Sequence, residues 1–163
     1  MRGALIAAFL LACDTPGSRQ GGGPPVDFTI GALAFHLSSG VTVAPAGGGM
    51  TFDLSDQADT CMALQLVPVQ PEILFSLHVS LPTDGSTRAT VVTTPVPGPG
   101  QATGSITQST GGNQDAQFAA SDGSVSWTAN ADGSTTIDSI DVGFAGAAGR
   151  LTTYGLTLSA CTP

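Results

Sequence analysis

Apolar and polar residues alternate over Ile73–Leu81, which reads ILFSLHVSL. In an extended chain successive side chains point to opposite faces, so every second residue shares a face. One face then carries five apolar residues, Ile73, Phe75, Leu77, Val79 and Leu81, and the other carries Leu74, Ser76, His78 and Ser80. This period of two residues is typical of a half-buried antiparallel β-strand.

Short extended segments of the same kind recur along the chain. They are Val26–Leu37 with a break at Gly31, Val41–Ala44, Met50–Leu54, Ala89–Thr94, Gln101–Ser109, Gln114–Ala120, Ser124–Ala129, Thr136–Phe144 and Leu151–Ala160. Three Asp-Gly pairs, Asp84-Gly85, Asp122-Gly123 and Asp132-Gly133, separate several of them. Such pairs favour the positive φ values of hairpin turns. The spacing predicts an all-β domain over residues 26–163, an antiparallel β-sandwich with a barrel as the alternative.

One segment favours a helix instead, near residues 55–65, with the sequence SDQADTCMALQ. Ser55 or Asp56 is suited to cap its N-terminus, because a side-chain oxygen there accepts the free amide protons. Asp56 and Asp59 would lie in or near the first turn, where the helix dipole favours negative charge. We therefore expect one short helix that carries Cys61.

The charge composition excludes several classes of protein. The chain has 163 residues, no lysine, twelve acidic residues and a formal net charge of -8. Nucleic-acid binding is not expected, because the chain lacks the basic surface that neutralises phosphates. A coiled coil is also excluded, since heptads rich in Glu and Lys are missing and Glu72 is the sole glutamate.

The N-terminus carries a targeting pattern. Arg2 precedes an apolar run, Gly3–Ala12, that is much shorter than the roughly 20 residues of a membrane-spanning helix. The run fits a signal peptide of residues 1–12, and its end, Leu10-Leu11-Ala12-Cys13, resembles the lipobox of bacterial lipoproteins. The resemblance implies that Cys13 receives a lipid, that palmitate is incorporated, and that the chain is cut before Cys13. A buried N-terminal helix with an incidental cysteine is the alternative.

Residues 13–25 continue from this cysteine as a Gly/Pro-rich stretch that reads CDTPGSRQGGGPP. Its composition predicts a flexible tether between the lipid and the domain. The layout of lipobox, tether, the segment Asp59-Thr60-Cys61 and a cysteine near the last residue resembles small envelope lipoproteins of myxobacteria and related high-GC bacteria. That family has no assigned activity to transfer to this chain.

Two cysteines remain after Cys13, namely Cys61 and Cys161. An exported protein enters an oxidising compartment, where a pair of cysteines is expected to form a disulfide. Free thiols or a metal site are the alternatives, but two cysteines without nearby histidines do not make a zinc site. We predict a Cys61–Cys161 disulfide that fixes the C-terminal strand to the middle of the chain.

Residues with catalytic potential are few. His36 and His78, the two histidines, both lie in strand patterns, and no nucleophile elbow or zinc-protease motif accompanies them. Asp53, Asp56 and Asp59 recur every third residue and are candidate calcium ligands, although the calcium-loop motif is absent and capping explains them as well. Trp127 and Tyr154 fit core positions with their polar ends at the edge. We predict no catalytic residues and no cofactor.

These observations favour a lipid-anchored protein of the bacterial cell envelope with a binding or structural role. The lipid would attach it to the outer or inner membrane, facing the periplasm or the cell surface, and a monomer is expected. An envelope protein or a glycan is the kind of partner that such a location offers. An extracytoplasmic hydrolase with an unrecognised acidic pair and a calcium-dependent adhesion module are the alternatives.

Overall fold

A computed structural model describes residues 26–44, 48–65, 71–110 and 113–161 of the chain. These residues form eleven strands and one short helix. In chain order they are β1 (Val26–Ile30), β2 (Leu33–Leu37), β3 (Ser39–Val43), β4 (Gly49–Ser55), α1 (Thr60–Gln65), β5 (Ile73–Ser80), β6 (Arg88–Val91), β7 (Gln101–Thr110), β8 (Asn113–Ala129), β9 (Thr135–Phe144), β10 (Arg150–Thr153) and β11 (Leu156–Cys161). The predicted all-β fold with one short helix is confirmed.

Strand β5 shows how the alternating pattern becomes structure. Phe75, Leu77 and Val79 are completely buried, whereas His78 between them is exposed. The chain is thus extended with one face on the core, as the period of two residues predicts. β5 lies between β4 and β7 and pairs antiparallel with both over its length.

Nine strands form one large sheet, and the pairings of seven of them close into a ring. From β9 the neighbours run through β11, β3, β4, β5, β7 and β8 and back to β9, while β6 and β10 add to this ring. The described pairings are antiparallel except for two parallel ones, β11 with β3 and β6 with β7. The sheet is therefore mixed: it is antiparallel, as expected, apart from these two parallel pairings.

The two halves of the sheet face each other across one apolar core, which gives the fold its sandwich-like character. Phe52 of β4 meets Trp127 of β8 with ring centroids 5.8 Å apart, and Phe75 of β5 meets Phe144 of β9 at 6.3 Å. Trp127 is buried, as predicted. Burial of such aromatic side chains is the main source of stability in a fold of this kind.

Strands β1 and β2 form a separate hairpin that covers part of this core. Its turn contains Gly31, which has a φ of 59°, and the hairpin buries Ile30, Phe35 and Leu37. Phe28 and Phe35 stack with centroids 5.3 Å apart. The break that the sequence shows at Gly31 is therefore a hairpin turn.

Two local predictions near the C-terminus are wrong. Asp122-Gly123 is not a hairpin turn, because both residues lie within the long strand β8, where the pairing with β9 shifts register between Ala120 and Asp122. Gly123 has a φ of 119° at this irregularity. Tyr154 does not enter the core but is 77% exposed, and it precedes Gly155, which has a φ of 69° and separates β10 from β11.

The helix is shorter than predicted and starts later. α1 begins at Thr60, and its N-terminal cap is Asp59, whose Oδ1 accepts a hydrogen bond from the amide of Met62 at 3.1 Å. Ser55 is the last residue of β4, and Asp56 accepts from the amide of Ile73 at 3.2 Å. Within the described part of the chain, no helix has the length and apolar character needed to cross a bilayer.

Candidate functional site

The structure brings together the two cysteines that the sequence predicts to form a disulfide. Cys61 on α1 and Cys161 at the end of β11 have Cα atoms 5.6 Å apart and sulfur atoms at bonding distance, as a disulfide requires. The predicted pairing fits this geometry. Cys13, the predicted lipidation site, lies outside the described residues.

The three aspartates proposed as calcium ligands have separate structural contacts. Asp53 lies within β4, Asp56 binds the amide of Ile73, and Asp59 caps α1. Among residues 26–44, 48–65, 71–110 and 113–161, no three acidic, histidine or cysteine side chains lie close enough together to hold a metal ion. Asp56 thus fixes the loop after β4, and Asp59 caps the helix.

Asp53 differs from the other two because it is buried, with 6% of its surface exposed. It points away from the core, since its neighbours Phe52 and Leu54 point inward. Burial raises the pKa of the Asp53 carboxyl, and a hydrogen bond from Ser76 on β5 opposes part of that rise. A carboxyl with a raised pKa is a common feature of functional sites, though structural networks have it too.

Hydroxyl groups surround the start of α1 near this carboxyl. Thr60 Oγ1 lies 2.8 Å from Ser55 Oγ and 2.6 Å from Ser39 Oγ, and Ser39 also donates to the carbonyl of Gln57. Ser55 and Thr60 are buried, so these bonds form away from water and satisfy groups that would otherwise be costly to bury. The cluster fixes α1 on β3 and β4.

A groove of about 400 Å³ lies along the β1–β2 hairpin. Phe28, Phe35 and Ile73 supply its apolar lining, and Asp27 and His36 supply its charged and polar lining. The groove is largely open to solvent, so a partner would lie along it and would not be enclosed as in a small-molecule pocket. The groove combines an apolar surface with polar groups at one place, as binding sites do.

Asp27 and His36 form a pair across the hairpin that sequence reasoning missed. Asp27 Oδ1 lies 2.6 Å from His36 Nδ1, and both side chains are more than half exposed. The two residues are register partners in β1 and β2, so the pair follows directly from a hairpin turn at Gly31. Recognising that hairpin in the sequence would have been enough to predict it.

A second unpredicted group lies on the outer face of β8, β9 and β10. Arg150 donates from Nη1 to Asp122 at 2.6 Å and from Nε to Asp141 at 2.7 Å. The guanidinium and a hydrogen bond from Ser121 lower the pKa of Asp122, and the two carboxylates raise the pKa of Arg150. A side chain at Gly143 would occupy the space of this group, so the glycine makes room for it.

No protein-family model, curated protein sequence or solved structure matches this chain.

Proposed function

We propose that the protein is a lipid-anchored component of the bacterial cell envelope with a binding or structural role. The observation that carries the proposal is the sequence Leu10-Leu11-Ala12-Cys13 at the end of a short apolar run. A disulfide-compatible pair, Cys61 and Cys161, supports export to an oxidising compartment.

The distance from Cys13 to the domain suits such an anchor. The described domain starts at Val26, so twelve Gly/Pro-rich residues, 14–25, separate it from the cysteine. These residues lie outside the described part of the chain; as the tether that their composition predicts, they would have a root-mean-square span of about 20 Å. The acidic chain is repelled by anionic lipid headgroups, so the lipid supplies the attachment and the domain remains free to bind a partner.

The groove on the β1–β2 hairpin supports a binding role more than a catalytic one. Its two titratable groups, Asp27 and His36, are paired with each other and exposed. Among the described residues, Asp53 has the raised pKa that catalysis can use, but it lies on β4 and does not line this groove. An envelope protein or a glycan is the class of partner that we propose.

Metabolic labelling with palmitate tests the anchoring. Wild-type protein should incorporate label and fractionate with membranes, whereas Cys13→Ser should do neither. Cys61→Ser is the matched control, because it also removes one cysteine but should retain the label. Equal labelling of wild type and Cys13→Ser would refute the proposal.

A further inference from the structure

Helix α1 crosses the outer face of β3 and β4 as a short strap, Thr60–Gln65. Thr60 and Ala63 are its buried residues, whereas Met62 is 52% exposed and Leu64 is exposed as well. A helix of six residues is too short to be stable by itself in water. The strap therefore depends on its attachments to the sheet.

The strap is attached to the sheet at two points, and a row of register partners on neighbouring strands lies between them. Thr60 binds Ser55 and Ser39, which are register partners at one end of β4 and β3. Cys61 reaches Cys161, which pairs with Val43 four residues further along β3. Residues two apart on a strand share a face, so both attachments lie on the same face of the sheet. The row of residues on that face therefore lies between the two attachments of the strap.

The row between the attachments contains Val41, Asp53 and Ser159, which are register partners on β3, β4 and β11. Val41 and Asp53 are both buried although they point away from the core. α1 contacts β3 and β4, the strands that carry Val41 and Asp53, so the Asp53 carboxyl would be better solvated if the strap moved away. The sheet itself does not need the strap, because β3, β4 and β5 pair with one another through their backbones.

We propose that α1 is a redox-released strap. Reduction of the Cys61–Cys161 disulfide frees α1 from β11 and opens the surface over Val41 and Asp53, while the strands remain folded. Both cysteines are partly exposed, so a thiolate can reach them.

The reductant is a dithiol, as a small molecule or as the CxxC site of an oxidoreductase. Its thiolate attacks one sulfur of the protein disulfide, the S–S bond breaks, and the departing cysteine thiolate takes a proton from water. The second thiol of the reductant then displaces the other cysteine from the mixed disulfide. Two electrons pass to the protein, which ends with two thiols, and the reductant ends as a disulfide.

Hydrogen exchange measured by mass spectrometry tests this proposal. The protein is the full chain with Cys13→Ser, which removes the third thiol, compared before and after reduction with dithiothreitol. We expect the amides of α1, including that of Ala63 which donates to the Asp59 carbonyl at 3.0 Å, to exchange about tenfold faster or more after reduction. Amides of β5 and β7, which exchange only when the whole domain unfolds, should still exchange far more slowly than those of α1 after reduction, since the sheet stays folded.

Two variants separate the disulfide from the hydroxyl cluster. Cys61→Ser with Cys161→Ser should show the fast exchange of α1 without any reductant. Thr60→Val removes one attachment but keeps the disulfide, so its α1 should exchange somewhat faster than in the wild type before reduction and should still accelerate on addition of dithiothreitol. Unchanged exchange of α1 after reduction would overturn the proposal, and so would equally fast exchange in β5 and β7, because the disulfide would then hold the whole fold.

Discussion

Removal of the disulfide should lower the stability of the domain by a calculable amount. Cys61 and Cys161 are 100 residues apart in sequence, so the bond closes a large loop in the unfolded chain. In the chain-entropy model a loop of that size corresponds to about 4.7 kcal/mol at 25 °C. For a domain that spans residues 26–163, with an unfolding entropy of about 2.1 cal/mol/K per residue, the melting temperature should fall by about 16 °C.

Urea unfolding of the double variant Cys61→Ser, Cys161→Ser measures this difference, with Cys13→Ser in both proteins. Trp127, the single tryptophan of the chain, reports the transition, because it is buried against Phe52 in the folded state. The slope of the unfolding free energy against urea should also be steeper in the variant, since an unfolded chain without a cross-link exposes more surface.

Dithiothreitol supplies the internal control. It should lower the unfolding free energy of the cross-linked protein to that of the variant and leave the variant unchanged. A difference below about 1 kcal/mol, with equal urea slopes, would refute the reasoning, because the bond would then restrain neither the folded nor the unfolded chain.

Three further outcomes are expected from the described contacts. Burial raises the pKa of Asp53 above its value in the unfolded chain. The stability that the protonated carboxyl contributes is therefore present at low pH and is lost as pH rises through the folded pKa. Asp53→Asn should melt higher than wild type at pH 7, and the difference should vanish below pH 4. Arg150→Gln should raise the pKa of Asp122 towards its ordinary value, as measured by carboxyl NMR titration, while the fold remains intact. Gly104→Ala should lower the free energy of unfolding, measured in urea, by about 1–3 kcal/mol, because its Cβ would collide with the backbone carbonyl of Ser76 on β5. Gly143→Ala is the control and should lower it less, because its Cβ meets the movable ends of side chains.

The core strands could be predicted from the sequence because their signal is local. Alternation over Ile73–Leu81 places every second residue on the core, and the structure buries Phe75, Leu77 and Val79 completely. The Asp132-Gly133 turn was also predicted, and it joins β8 to β9 as a hairpin. For this strand and this turn, the signal along the chain was sufficient.

The turn at Asp122-Gly123 was mispredicted because two structures use the same residues. A hairpin turn and some β-bulges both place a residue at positive φ, and glycine serves either. What distinguishes them is the pairing of the flanking residues with β9, which is not local. The pair of Arg150 with Asp122, 28 residues away, depends on that same register and was missed for the same reason.

The polar surface of this domain is held together by neutral groups more than by ion pairs. Ser126 and Ser139 pair across β8 and β9 at 2.8 Å, and Thr136 and Thr157 pair across β9 and β11 at 3.2 Å. Such bonds are not weakened by salt, and the chain without lysine has few cations to use instead. The net negative charge thus bears mainly on solubility, while single carboxylates such as Asp56 and Asp59 accept hydrogen bonds from the backbone. Asp53 differs from them because it is buried, with a raised pKa, in the row of the sheet between the two attachments of α1, so redox state and pH are expected to act on the same place in the structure.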